Sequence, residues 1–200
     1  MHYYTIEKES FAEYKDRGSR FLAYAYPVQT VEQCKQLLQQ SKKDHPKAAH
    51  HCFAWRLGHE GMLFRQSDDG EPAGTAGKPI LGQIDSKKLV NTVVIVVRYF
   101  GGTLLGVPGL TQAYRSVTAM ALQLVPVIQK PIELVYTLQF DYTQVNDVMN
   151  LVKQYNCSII RQEMQLFCLL TVGIPQARLD EIRYKLEQMH TVEVRAEKNK

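Results

Sequence analysis

The sequence predicts an α+β protein of two domains, and three observations carry that prediction. Thr92 to Val97 is β-branched at every position, which reads as a strand buried on both faces. Strand and helix periodicities alternate along the whole chain. Between Val125 and Pro131 a helical pattern stops between two prolines, separating a domain of residues 1–128 from one of residues 129–200.

Taken in order, Tyr3 to Glu7, the stretch around Phe11 to Lys15 and Arg20 to Tyr26 read as short strands, with turns at Lys8 to Ser10 and Asp16 to Ser19. Thr30 caps a helix whose apolar side carries Val31, Cys34, Leu37 and Leu38. His51 to Leu57 and Met62 to Gln66 form a hairpin around Gly58 to Gly61, followed by the loop Ser67 to Pro79 (SDDGEPAGTAGKP). A helix from about Lys78 to Leu89 leads into the Thr92 to Val97 strand, which ends at Arg98. After a glycine-rich turn, Gly101 to Gly109, a helix runs to Val125 with Leu110, Ala113, Tyr114, Val117, Ala121 and Leu124 on one stripe.

The second half reads as βαββαβ. Glu133 to Phe140 alternates as a strand, and Thr143 to Gln154 has helical spacing at Val145, Val148, Met149 and Val152. Cys157 to Arg161 and Gln165 to Gly173 are two further strands. A helix beginning near Pro175 shares Leu179, Ile182, Leu186 and Met189, and Thr191 to Arg195 closes the order. This is the split βαβ, ferredoxin-like arrangement, with both helices on one side of a four-stranded sheet. Its other face is then free to dock a protein partner.

Composition bounds the function. With 45% apolar and 22% charged residues, 12 Gly and 8 Pro, the chain is neither disordered nor fibrous. Apolar runs such as Val93 to Val97 fall far short of the ~20 residues of a membrane span, and the N-terminus has no secretory pattern, which predicts a soluble, cytoplasmic protein. Cys34, Cys52, Cys157 and Cys168 make no Cys-x-x-Cys pair and read as buried thiols. The formal charge of +4 is confined to residues 1–128, which carry 15 Lys and Arg against 11 Asp and Glu; the remainder is neutral, with 9 of each. That suits an anionic partner but is weaker than the basic stripe of a dedicated DNA binder.

Two glycine-rich segments flank the apolar strand, and each precedes a helix. Exposed N–H groups at a helix N-terminus suit phosphate, and Lys78 and Arg98 would add full charges. The plainer alternative is a pair of tight turns with Arg98 bonded to Asp68 or Asp69. GTAGKP is not a Walker A loop, because Pro72 and Pro79 stand where Gly and Ser or Thr are needed. No Gly-x-Gly-x-x-Gly follows the strand. A metal-dependent or small-molecule enzyme can be imagined from the Asp68-Asp69-Gly70-Glu71 loop with His50 or His51. Adjacent strand residues face opposite ways, however, and no catalytic motif supports it. Tyr24, Tyr26, Phe53, Trp55, Tyr99 and Phe100 offer rings for bases to stack on near Arg20, Arg56 and Lys78, or for the core.

The segment Gly77 to Gly106 (GKPILGQIDSKKLVNTVVIVVRYFGGTLLG), with DDGEPAGTAGKP, AHHCFAW, GLTQAYRSV and Ser19-Arg20-Phe21, resembles the IMPACT family. The resemblance covers essentially the whole chain. It implies a first domain sharing the βαβ, ribosomal-protein-like superfold of domain IV of elongation factor G, and a second like that factor's domain V. Eukaryotic members regulate translation through a further N-terminal domain that this sequence does not contain. The expectation is a non-catalytic protein that binds RNA or the ribosome in regulation of translation and needs no cofactor or metal. Arg20, His51, Lys78, Arg98, Tyr99, Gly101 and Gly102 would meet the nucleic acid, and Asp68, Asp69, Gly70, Gly74, Gly77 and Gly106 would shape the loops.

Overall fold

A computed structural model describes residues 1–189 and 191–197. It divides into two compact units, one of His2–Lys130 and one of Met1 with the residues from Pro131 onward.

In the first unit the chain forms β1 (His2–Ile6), β2 (Ser10–Asp16), β3 (Ser19–Pro27), α1 (Val31–Asp44), β4 (His50–Leu57) and β5 (Leu63–Ser67). It continues through α2 (Gly77–Ser86), β6 (Thr92–Tyr99), α3 (Gly106–Gln123) and β7 (Val127–Pro131). Five strands make an antiparallel sheet in the order β2-β3-β6-β4-β5. As its β-branched sequence requires, β6 lies in the middle and is buried on both faces. Val94 and Val96 join the core beneath α2 and α3, with Phe21, Ala54, Ile80, Tyr114 and Val117. Val93, Ile95 and Val97 join the core beneath α1, with Leu22, Cys34 and Trp55. The unit is thus three layers, α1 on one face of the sheet and α2 with α3 on the other.

Thr30 does cap α1. Its hydroxyl accepts from the Gln33 N–H at 3.2 Å while Gln33 Oε1 accepts from the Thr30 N–H, a reciprocal capping box. Three sequence readings change. The first strand stays out of the large sheet and pairs with β7, which reads as a linker in sequence because prolines bound it on both sides. Helix α2 ends at Ser86, since Lys88 and Asn91 take positive φ (53° and 52°) and turn the chain. Leu124 leaves the apolar stripe: it is the cap residue just past the end of α3 and is exposed.

The second unit holds β8 (Glu133–Phe140), α4 (Val145–Gln154), β9 (Ser158–Met164), β10 (Cys168–Pro175), α5 (Leu179–Glu187) and β11 (Glu193–Ala196). The strand order β11-β8-β10-β9 is that of a split βαβ, all pairs antiparallel. One core joins Leu138 and Phe140 of β8 and Leu170 and Ile174 of β10 to Val148 and Val152 of α4 and Ile182 and Leu186 of α5. Both helices therefore cover one face. Gln165 to Phe167 are the turn before β10 rather than its first residues, leaving Leu166 and Phe167 exposed.

Candidate nucleic-acid interface

Strand alternation scatters the residues singled out in the sequence over two faces of the five-stranded sheet. Arg98 lies opposite Phe21 in register, on the α2 and α3 side; Tyr99 lies opposite Arg20, on the α1 side with His51.

Arg98 is a buried structural cation, which corrects its assignment to phosphate contact. It is 5% exposed, and its Nη1 donates to both oxygens of Glu71 at 2.7 and 2.9 Å. Its Nη2 reaches Ser19 Oγ at 3.4 Å, and Phe21 and Phe100 lie over the guanidinium. The carboxylate it meets is Glu71, not Asp68 or Asp69. Tyr114 also donates to Glu71 Oε1 at 2.8 Å, and Cys52 Sγ sits 3.3 Å from the Tyr114 hydroxyl. Burial raises both the Tyr114 phenol and the Cys52 thiol, so both stay protonated.

The first glycine-rich loop is closed to an anion for a different reason. Asp68 already fills the N-terminus of α2: its carboxylate accepts from the N–H groups of Gly74 (2.9 Å), Ala76 (3.0 Å) and Gly77 (2.8 Å). Burial pushes the Asp68 carboxyl up, but the three N–H bonds outweigh it and hold the group below its ordinary value. Gly77 is obligatory here, because a side chain would meet the Ser67 backbone at 2.8 Å. Asp69 and Gly70 turn the loop at positive φ; Asp69 accepts from the His51 N–H at 2.7 Å and faces Lys42 at 3.7 Å. His50 Nδ1 donates to the Asp69 carbonyl at 2.8 Å. The acidic loop thus spends its carboxylates on the chain itself, and among the described residues no three His, Cys, Asp or Glu gather as metal ligands.

His51, 7% exposed, is likewise interior, and burial lowers its imidazole below the ordinary value. Tyr99 is half-buried and its hydroxyl holds His45 Nδ1 at 2.9 Å. Arg20 is exposed and bonded to Glu13 at 3.0 Å. Gly101 and Gly102 form an exposed turn, and no side chain caps α3, which begins at Gly106. Gly101 packs so closely on Gly18 that no Cβ fits there.

What the structure does open is a groove of about 920 Å³ between α2 and α3 and the end of β5. Lys78 of α2 and Arg115 of α3 both line it, with Gln66, Gln83 and Thr111 as neutral polar partners. Neither cation forms an ion pair among the described residues, whereas the one acid in the lining, Asp85, is held by Arg56 at 2.7 Å. Lys78 was visible in the sequence. Arg115 was not, although its spacing from Thr111 puts both on the α3 face opposite Ala113, Tyr114 and Val117.

The architecture recurs in a solved chain, and the sequence has named relatives. A solved chain described as a hypothetical protein is 33% identical, covers 100% of this chain and 98% of its own, and superposes with a TM-score of 0.76. IMPACT family member YigZ of Escherichia coli (strain K12) is 39% identical over 172 residues, 85% of this chain and 84% of that protein. Yih1, described as a two-domain translational regulator, is 30% identical over 60% of this chain and 45% of its own, with a TM-score of 0.37. The Impact N-terminal domain model matches residues 17–122, from the β2 to β3 turn through nearly all of α3. That span holds the Asp68 cap, the Glu71–Arg98 pair and both cations of the groove, and the chain belongs to the IMPACT family.

Proposed function

We propose that this protein binds RNA through the groove between α2 and α3 and acts in translation without a catalytic step of its own. The observation that carries the reading is the pair of unneutralised cations, Lys78 and Arg115, set on neighbouring helices in one open groove. Donor side chains beside them, Gln66 and Gln83, have the chemistry of phosphate and ribose contact. The basic excess of residues 1–128 adds to the attraction. The exposed Gly101–Gly102 turn and the uncapped start of α3 are a secondary anion contact in this reading. Family membership supports the translational part, since the resemblance implies regulators of translation and Yih1 is described as one. The same reading takes the two units as counterparts of domains IV and V of elongation factor G; the β11-β8-β10-β9 order supports the second of these.

Titration of labelled RNA at several salt concentrations tests it. Each phosphate contact on a single strand contributes about −0.7 to the slope of log affinity against log salt, so a Lys78→Ala, Arg115→Ala double variant should flatten the slope by about 1.4. An unchanged slope in a folded double variant removes the groove from the site.

A further inference from the structure

On the opposite face of the same sheet, between α1 and β3, lies a cleft of different character. An outer chamber of about 530 Å³ is lined by Glu9, Tyr26, Pro27, Val28, Leu37 and Gln40 among others. An inner one of about 190 Å³ shares Tyr26, Leu37 and Gln40 and adds Tyr24, Ser41, Asp44 and His45. The Tyr24 and Tyr26 rings lie parallel, 6.5 Å apart with 7° between their planes. No Lys or Arg lines either chamber, and both carry a carboxylate: Glu9 at the outer, Asp44 at the inner. Neither acid forms an ion pair among the described residues; Asp44 accepts only from Gln40, at 2.7 Å. His45 brings no free polarity, because Tyr24 and Tyr99 hold its two nitrogens at 2.9 Å each. Ser41 Oγ is buried in the inner wall with no hydrogen-bond partner.

We propose that this cleft binds an alkylammonium group, with the tyrosine faces and the two carboxylates receiving its charge and Leu37, Pro27 and Val28 its aliphatic part. Aromatic faces attract cations through their quadrupole, and carboxylates without partner cations add Coulomb attraction. The same features repel a phosphate, so the cleft and the groove on the other face select ligands of opposite charge. The tyrosines already register that field: Tyr26 is raised first by burial and then by Glu9, Tyr24 and Asp44. Gln40 lines both chambers, and with its NH2 group donating to Asp44 its amide oxygen is left to accept from a primary amine.

Titration of the RNA-free full chain with choline, spermidine and Nα-acetyl-lysine amide, followed by NMR, tests the assignment and separates its sources. Saturable shifts in the tyrosine ring signals are expected, with choline binding far better than its neutral isostere 3,3-dimethylbutanol. The strongest of the three cations identifies the source as a quaternary group, a free polyamine or a lysine side chain. Asp44→Asn and the surface change Glu9→Gln should each weaken binding by about three- to fivefold, and Tyr26→Leu by about fivefold. Equal binding of the neutral isostere or of adenosine, no saturation at tens of millimolar, or no effect of all three substitutions overturns it.

Discussion

Replacing Arg98 with Met separates a structural role for that residue from an RNA-contacting one. The substitution keeps the length and apolar stem of the side chain but leaves the Glu71 carboxylate, 3% exposed, with only the Tyr114 hydroxyl at 2.8 Å and His50 Nε2 at 3.9 Å beside it. Two charge-assisted bonds at 2.7 and 2.9 Å and the link to Ser19 vanish. Breaking a buried pair from one side costs about 3–5 kcal/mol, against a total stability of about 5–15 kcal/mol. For a unit spanning His2–Lys130, an unfolding entropy of about 2.1 cal/mol/K per residue converts that loss into a fall in Tm of about 11–18 °C. Adding Glu71→Met should recover about half of it, because the isolated buried carboxylate is then gone; a residual deficit of about 1–3 kcal/mol reflects the polar partners left behind. Thermal and urea melts of the parent, both single variants and the double variant measure these terms, with RNA affinity per folded molecule expected to stay at the parent's value. A single variant that melts within about 3 °C of the parent, or a double variant that loses the sum of both singles, would refute the reasoning.

Asp68→Asn removes the charged cap of α2 and should cost about 1–3 kcal/mol. Because the folded Asp68 carboxyl is held below its unfolded value of about 3.9, its contribution is complete above that pH and is lost as pH falls through the folded value. Urea melts from pH 7 down to pH 2.5 should therefore show the variant and parent converging in acid. His51 runs on a different window: the folded imidazole is depressed by burial, so stability rises as pH climbs toward the unfolded value of about 6.5 and falls below it. His51→Gln should flatten that rise between pH 5 and 7.5, read by the difference in urea midpoint. Among the glycines, Gly101→Ala places a Cβ where the Gly18 and Ser19 backbones already stand and should unfold the turn, whereas Gly82→Ala, in open space within α2, should stabilise by about 0.5–1 kcal/mol; thermal melts distinguish the two.

The parts of the fold that follow local rules were legible in advance. Thr30 announces the start of α1, the β-branched run announces β6, and the alternating periods of the second half announce its helices and strands. Strand β7 was not legible, because Pro126 and Pro131 give it the composition of a linker and its pairing with β1 joins opposite ends of the unit. The candidate site was legible only in part. Lys78 stands out beside its glycines, but Arg115 is one cation on an ordinary amphipathic helix until α2 is packed beside it.

The identity of each residue and the period of each segment were determined by the sequence, and with them the family, the order of elements and the central place of β6. The partner of each charge was decided by tertiary structure alone. Glu71 and Arg98 stand 27 positions apart, as near in sequence to several other opposite charges as to each other. Only the crossing of the loop after β5 over the end of β6 brings them together in an interior where neither charge can remain alone. The same packing turns Asp68 inward onto α2 and leaves Lys78 and Arg115 facing water, because the one carboxylate on their two helices, Asp85, is taken by Arg56.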